Sequence, residues 1–152
     1  VNIVVAAVGK AKPGPEKELF ASYAARLPWR IDVKEIEIKK EMAVDVRRAR
    51  EGEALLAAVP EGSRIIALDE RGKAEASDAF AKRLGRWRDD GVRSVAFIIG
   101  GADGLDESLR KRADAVLSFG ALTWPHMLVR ALLAEQLYRA HTILTGHPYH
   151  RA

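Results

Sequence analysis

The residues best equipped for chemistry crowd into the last third of this 152-residue chain. All four histidines, His126, His141, His147 and His150, lie there, and near the chain end Gly146, His147, Pro148, Tyr149, His150 and Arg151 set two imidazoles, a phenol and a guanidinium side by side. Imidazole moves protons near neutral pH, and donors such as phenol and guanidinium stabilise an anion as it develops. Chain ends are ordinarily frayed and tolerant of change, so this concentration points to a role. No metal is expected. His147 and His150 stand at i, i+3, but the chain has no cysteine and no carboxylate nearby to complete a ligand set. His141 reads as a structural or surface residue of a helix. His126, at the entrance of the last helix, suits either function or helix-start packing.

Three connecting segments could form a pocket. FIIGGADGLDE places Gly100, Gly101 and Gly104 after a strand and before a helix, where open α/β sheets bind nucleotides and cofactors. The spacing is not G-x-G-x-x-G, the P-loop Lys-Ser/Thr pair is missing, and Asp103 would repel a phosphate. A ligand with ribose hydroxyls and a positive centre fits better, and S-adenosylmethionine is one; a plain glycine turn is the other reading. Residues 115–129, AVLSFGALTWPHMLV, contain no Asp, Glu, Lys or Arg, although their middle must be a connection. A loop of Gly120, Ala121, Leu122, Thr123, Trp124 and Pro125 is either buried or lines an apolar pocket such as one for adenine, whose edge the spare backbone groups can bond. A third strand ends in LDERGK, residues 68–73. It would bring its loop to the same edge of a parallel sheet, a solvated turn being the alternative.

Positioning these loops takes a sheet. Residues 2–8, 31–38, 63–69, 94–100 and 115–119 read as strands rich in Val, Ile and Phe, the second alternating apolar and charged and the others nearly continuous. Helix patterns fall at 15–27, 45–58, 77–90, 106–113 and 125–145, with Ser77 and Asp106 as N-caps. Strand and helix in alternation predict an α/β fold, a mainly parallel sheet flanked by helices. The last helix is apolar over most of its circumference, from Met127 and Leu128 through Leu132, Leu137 and Ile143 to Leu144. This predicts burial on more than one side, against the sheet and against a second subunit.

Composition bounds the rest. The chain is 48% apolar and 30% charged, ordinary for one folded domain, expected to occupy residues 1–152. The apolar run at 3–8 is too short to span a membrane and lacks a basic leader, so a cytoplasmic protein is expected; Val1 implies an initiator methionine ahead of it or processed away. Net charge is +4, and its placement is uneven: residues 1–107 balance 19 Lys/Arg against 19 Asp/Glu, whereas residues 108–152 carry 6 against 2. The basic end agrees with a polyanionic partner. Lack of cysteine excludes disulfides, thiolate metal sites, iron–sulfur clusters and cysteine nucleophiles.

IIGGADGL followed by LSFGALTWPHMLVRALLAEQLYRAHTILTGHPYHR resembles the bacterial ribosomal RNA large subunit methyltransferase H family, the YbeA-type SPOUT methyltransferases. The likeness runs the length of the chain, including the opening VAAVGK; Ala102 and Asp103 stand where relatives often have Pro-Glu, and Trp124 where a smaller apolar residue is common. The resemblance implies a SPOUT fold with a C-terminal trefoil knot, a homodimer, and S-adenosylmethionine gripped by Leu68, Gly100 and the run Phe119, Gly120, Ala121, Leu122, Thr123 and Trp124. It implies as substrate a pseudouridine of 23S ribosomal RNA, methylated at N3 in the assembled ribosome. That reaction removes an imide proton and attacks a sulfonium methyl in line. His126 is then a candidate base, His150 and Arg151 candidates to stabilise the ring anion, and Tyr149 a stacking or hydrogen-bonding partner, on a tail expected to dock beside the cofactor pocket. Missing cysteine agrees, since methylation at nitrogen needs neither a thiolate nor an iron–sulfur cluster. Alternatives are a non-catalytic ribosome-binding factor and a nicotinamide-dependent oxidoreductase, the latter disfavoured by the irregular glycine spacing.

Overall fold

A computed structural model describes residues 1–150. Five strands, β1 (Asn2–Val8), β2 (Ile31–Ile36), β3 (Arg64–Lys73), β4 (Ser94–Ile99) and β5 (Ala115–Leu117), alternate with α1 (Pro15–Ala24), α2 (Val44–Ala57), α3 (Ser77–Asp89), α4 (Glu107–Arg112) and α5 (His126–Thr145). All pairings between these strands are parallel, in the order β2-β1-β4-β3-β5.

Side chains of successive strand residues point to opposite faces, and β1 shows both in use. Ile3, Val5 and Ala7 join Phe97, Ile66, Phe80, Leu133 and Leu137 under α1, α3 and α5, while Ala6 and Val8 join Ile98, Ala67, Leu55 and Leu109 under α2 and α4. This explains the near-continuous apolar runs, because a central strand covered on both sides has no solvated face to mark by polar residues. β2 lies at the sheet edge, and its alternating pattern fits that place.

Helix α5 packs against α1 and α3 and touches β4. From His126 to Leu144 none of its residues is fully exposed. Neighbours within the chain therefore cover much of the apolar circumference that the sequence pattern divided between the sheet and a second subunit; the row Leu128, Leu132 and Gln136 is left half-buried.

Two expectations are corrected. Ser77 does not cap α3: Ala76 is the N-cap, and the Ser77 hydroxyl instead bonds Gln136 Oε1 at 2.8 Å, tying α3 to α5. LDERGK is not simply a turn after β3, because the strand continues to Lys73, with Leu68 and Lys73 both paired to Leu117. Residues 69–72 bulge outward between them and return at Gly72, where a Cβ would stand 2.6 Å from the Val116 carbonyl oxygen. Only glycine lets the strand close back on β5.

Candidate cofactor cleft and chain terminus

At the carboxyl ends of β3, β4 and β5 lies a cleft of about 480 Å³, a size suited to a small ligand. Its walls include Leu68, Gly100, Phe119, Gly120, Leu122, Thr123 and Trp124, with His126 at the start of α5. Of the expected cofactor contacts, only Ala121 is not part of the wall. The loop at 120–125 is not buried: Leu122 is 72% exposed and Trp124 39%. Its apolar side chains are therefore available to a ligand, the second of the two readings its composition allowed.

Two contacts fix the shape of the rim. The GGADG loop closes on itself through a Gly104 N–H to Gly101 carbonyl bond of 3.0 Å. Beside it, Asp69 accepts from the Arg71 backbone N–H at 2.9 Å and from Arg71 Nε and Nη2 at 2.9 and 3.0 Å. Arg71 Nη2 also reaches the Leu105 carbonyl at 3.5 Å, linking the β3 bulge to the loop after β4. Burial opposes ionisation of Asp69, but the Arg71 hydrogen bonds and the nearby charges of Arg71 and Arg110 outweigh it and hold its carboxyl below the usual range. Sequence reasoning grouped these residues as a charge cluster; the Asp-x-Arg spacing was its only signal of a bracing pair.

Glu51 of α2 was not singled out from sequence. It is buried, and its Oε2 lies 3.6 Å from where a Cβ on Gly101 would stand. Burial raises its pKa, Arg47 opposes that, and Asp103 reinforces it.

Gly146 ends α5 in the left-handed conformation, φ 74°, with its own N–H and that of His147 directed to the Thr142 carbonyl. This is the helix end expected of a glycine at that position. The chain then turns Tyr149 back onto α5. The Tyr149 and Tyr138 rings meet at 4.7 Å between centroids and 64°, and Arg139 lies over the Tyr149 ring at 5.2 Å. The phenol donates to Glu135 Oε1 at 3.1 Å, and the Tyr23 hydroxyl stands 3.5 Å away. Burial, with those two hydrogen bonds, pushes the phenol well above its ordinary pKa. Tyr149 is thus a neutral donor, not a base.

Within one chain, Tyr149 packs on α1 and α5, and neither Tyr149 nor His150 forms part of the wall of that chain's own cleft. His150 Nδ1 is buried without a hydrogen-bond partner among the described residues. Arg151, expected to stabilise the ring anion, lies outside the described residues. Among the described residues no group of three or more His, Asp or Glu is placed to hold a metal, and no helix is long and apolar enough to cross a membrane.

A parallel α/β sheet with a loop-built cleft at its carboxyl edge is a ligand-binding architecture shared by many enzymes. Here the comparisons identify which: the chain belongs to the SPOUT methyltransferases, a family model described as "Predicted SPOUT methyltransferase" matching residues 1–150. Similar proteins include two named Ribosomal RNA large subunit methyltransferase H. The one from Rhodospirillum centenum is 57% identical over 152 residues, 100% of both chains, and the one from Paramagnetospirillum magneticum is 58% identical over 151 residues, 99% of both. Among solved structures, the SpoU methyltransferase AviRb from Streptomyces viridochromogenes, in complex with the cofactor AdoMet, aligns with a TM-score of 0.49 at 14% identity, over 92% of this chain and 58% of that one.

Proposed function

We propose that residues 1–152 act as one S-adenosylmethionine-dependent methyltransferase domain that methylates N3 of a pseudouridine in large-subunit ribosomal RNA, on the assembled ribosome in the cytoplasm. The observation that carries this reading is the cleft formed by the β3 bulge and the loops after β4 and β5. Its chemistry suits an adenosine bearing a positive centre: Leu68, Leu117, Phe119 and Leu122 offer apolar surface, and Glu70 and Asp103 offer negative charge. A phosphate would meet those two carboxylates, with Arg71 already engaged by Asp69 and Arg48 the one other arginine of the wall. The relatives' names support ribosomal RNA of the large subunit as the substrate.

In this reading Leu68, Gly100, Phe119, Gly120, Ala121, Leu122, Thr123 and Trp124 hold the cofactor, around the trefoil knot that the family implies. S-adenosylmethionine, when bound, supplies an electrophilic methyl group. His126, at the cleft wall and at the start of α5, takes the N3 proton of the target ring. His150 and Arg151 stabilise the ring anion. Because Tyr149 and His150 stand apart from their own cleft, the reading includes a homodimer in which the terminus serves the partner's cleft.

The test combines purified protein, methyl-labelled S-adenosylmethionine and ribosomes lacking the modification. Label is expected at N3 of a pseudouridine in large-subunit RNA. Label confined to protein or to transfer RNA would overturn the proposal.

A further inference from the structure

A second cavity, about 510 Å³, lies where the loop between β1 and α1 faces β2 and the start of α5. His126 belongs to its wall and to that of the first cleft, so the two spaces adjoin through one imidazole. One side is apolar: Phe20 and Met127 are half-buried, and Val33 is 39% exposed. The other side carries Lys10, Lys12 and Lys17, all exposed and in none of the ion pairs among the described residues.

The floor is already balanced. Arg130, with only 7% of its side chain exposed, pairs with Glu35 at 2.6 Å and donates to the Gly9 carbonyl at 3.0 Å. Glu35 also accepts the Ala11 N–H at 2.7 Å, and although burial opposes it, these bonds hold its carboxyl below the ordinary range. Glu35 is thus spent on Arg130, and Glu16 is the one other carboxylate in the wall, against three lysines. Arg130 Nε remains buried with no hydrogen-bond partner among the described residues. A cationic cavity with an apolar wall suits an anion attached to a flat ring.

We infer that this cavity holds a nucleotide flanking the target in the RNA strand, its base against Phe20 and Met127 and its phosphates against Lys10, Lys12 and Lys17. The inference rests on the proposed function and deepens it. Stacking on aromatic side chains and neutralisation of phosphates are how single-stranded RNA is held without base-specific contacts. A base in the first cleft then has its neighbour just past His126. The proton-accepting imidazole would sit at the junction of the two nucleotides.

The probe is the ribosome lacking the modification, titrated with the intact protein at several salt concentrations. The triple variant Lys10→Gln, Lys12→Gln, Lys17→Gln changes exposed positions away from the cofactor loops, so its affinity for S-adenosylmethionine should match the wild type. Its ribosome affinity should fall about tenfold or more, and the slope of log K against log salt should shrink by about 2, the share of three phosphate contacts. Phe20→Ala, with Phe20→Leu as a fold-preserving companion, should weaken ribosome binding about fivefold to a hundredfold with the salt slope unchanged, as for loss of one stacked base.

A wild type that methylates its target while the triple variant keeps the full salt slope overturns the nucleotide site and leaves the proposed function standing. A triple variant that sediments as a monomer where the wild type is a dimer overturns it too, making the cavity a contact between copies of the chain. A wild type that methylates no ribosome overturns the proposed function itself.

Discussion

Asp69→Asn tests whether the rim of the cleft is braced as described. The wild-type carboxylate is 4% exposed and receives three N–H groups from Arg71. Asparagine can keep the two bonds to Oδ1, but its NH2 group cannot accept from Arg71 Nη2, and the charge attraction is gone. A charge-assisted bond of this kind is worth about 1.5–3 kcal/mol. Arg71, however, is 47% exposed, and solvent screening brings the loss down to about 1–2 kcal/mol. For a chain of this length that lowers Tm by about 2–8 °C. If the brace holds the β3 bulge against the loop after β4, the same release should raise the calorimetric Kd for S-adenosylmethionine roughly fivefold to thirtyfold. Acid provides a second readout. A carboxyl held below its usual 3.8 stabilises fully above that value and loses its contribution only as pH falls through the lower, folded-state value. The stability gap between wild type and variant should therefore be flat from about pH 5 to 8 and close only below about pH 4. A variant with wild-type cofactor affinity and Tm, or a gap that closes near neutrality, would refute the reasoning.

Four further outcomes are expected. Gly72→Ala forces a Cβ to 2.6 Å from the Val116 oxygen, so it should cost about 1–3 kcal/mol of stability by denaturant unfolding and weaken cofactor binding with it. Glu51→Gln removes a carboxyl whose pKa burial raises; because its protonated form is the one the fold favours, the variant should be more stable than wild type at pH 7, by up to about 1 kcal/mol, and equal to it at pH 4. Tyr149→Phe loses the bond to Glu135 and should cost about 0.5–1.5 kcal/mol, whereas truncation after Gly146 should leave a folded protein without methyl transfer, checked by circular dichroism alongside the methylation assay.

The sheet was legible because burial on both faces leaves uninterrupted Val and Ile runs, and β1 begins and ends where its pattern does. The loop at 120–125 was legible from the lack of charge around Trp124, and the helix end at Gly146 from glycine followed by Pro148. The β3 extension was not: Glu70 and Arg71 read as turn residues because they are exposed on a bulge, and the close approach at Gly72 depends on β5, more than 40 residues away by the pairing of Gly72's neighbour Lys73 with Leu117. The same limit hid the place of the terminus. Tyr149 packs on Tyr23 and Glu135 across the helix pair α1 and α5, and neither partner is marked in sequence as belonging with it. Arg130 likewise reads as one charge in an apolar helix until the fold brings Glu35 and the Gly9 carbonyl to it.

The strand order has a consequence for how the chain acquires its shape. No strand pairs with its neighbour through a hairpin: Ile3 must find Ile31, Arg64 must find Val95, and Asn2 must find Ser94. Every ladder closes a long loop before its hydrogen bonds and apolar contacts compensate for the lost chain entropy. Helices of this chain can form locally and early, but the edge that carries the cleft needs β3, β4 and β5 together, so folding should be slow for a chain of this size and binding competence should be gained late in it.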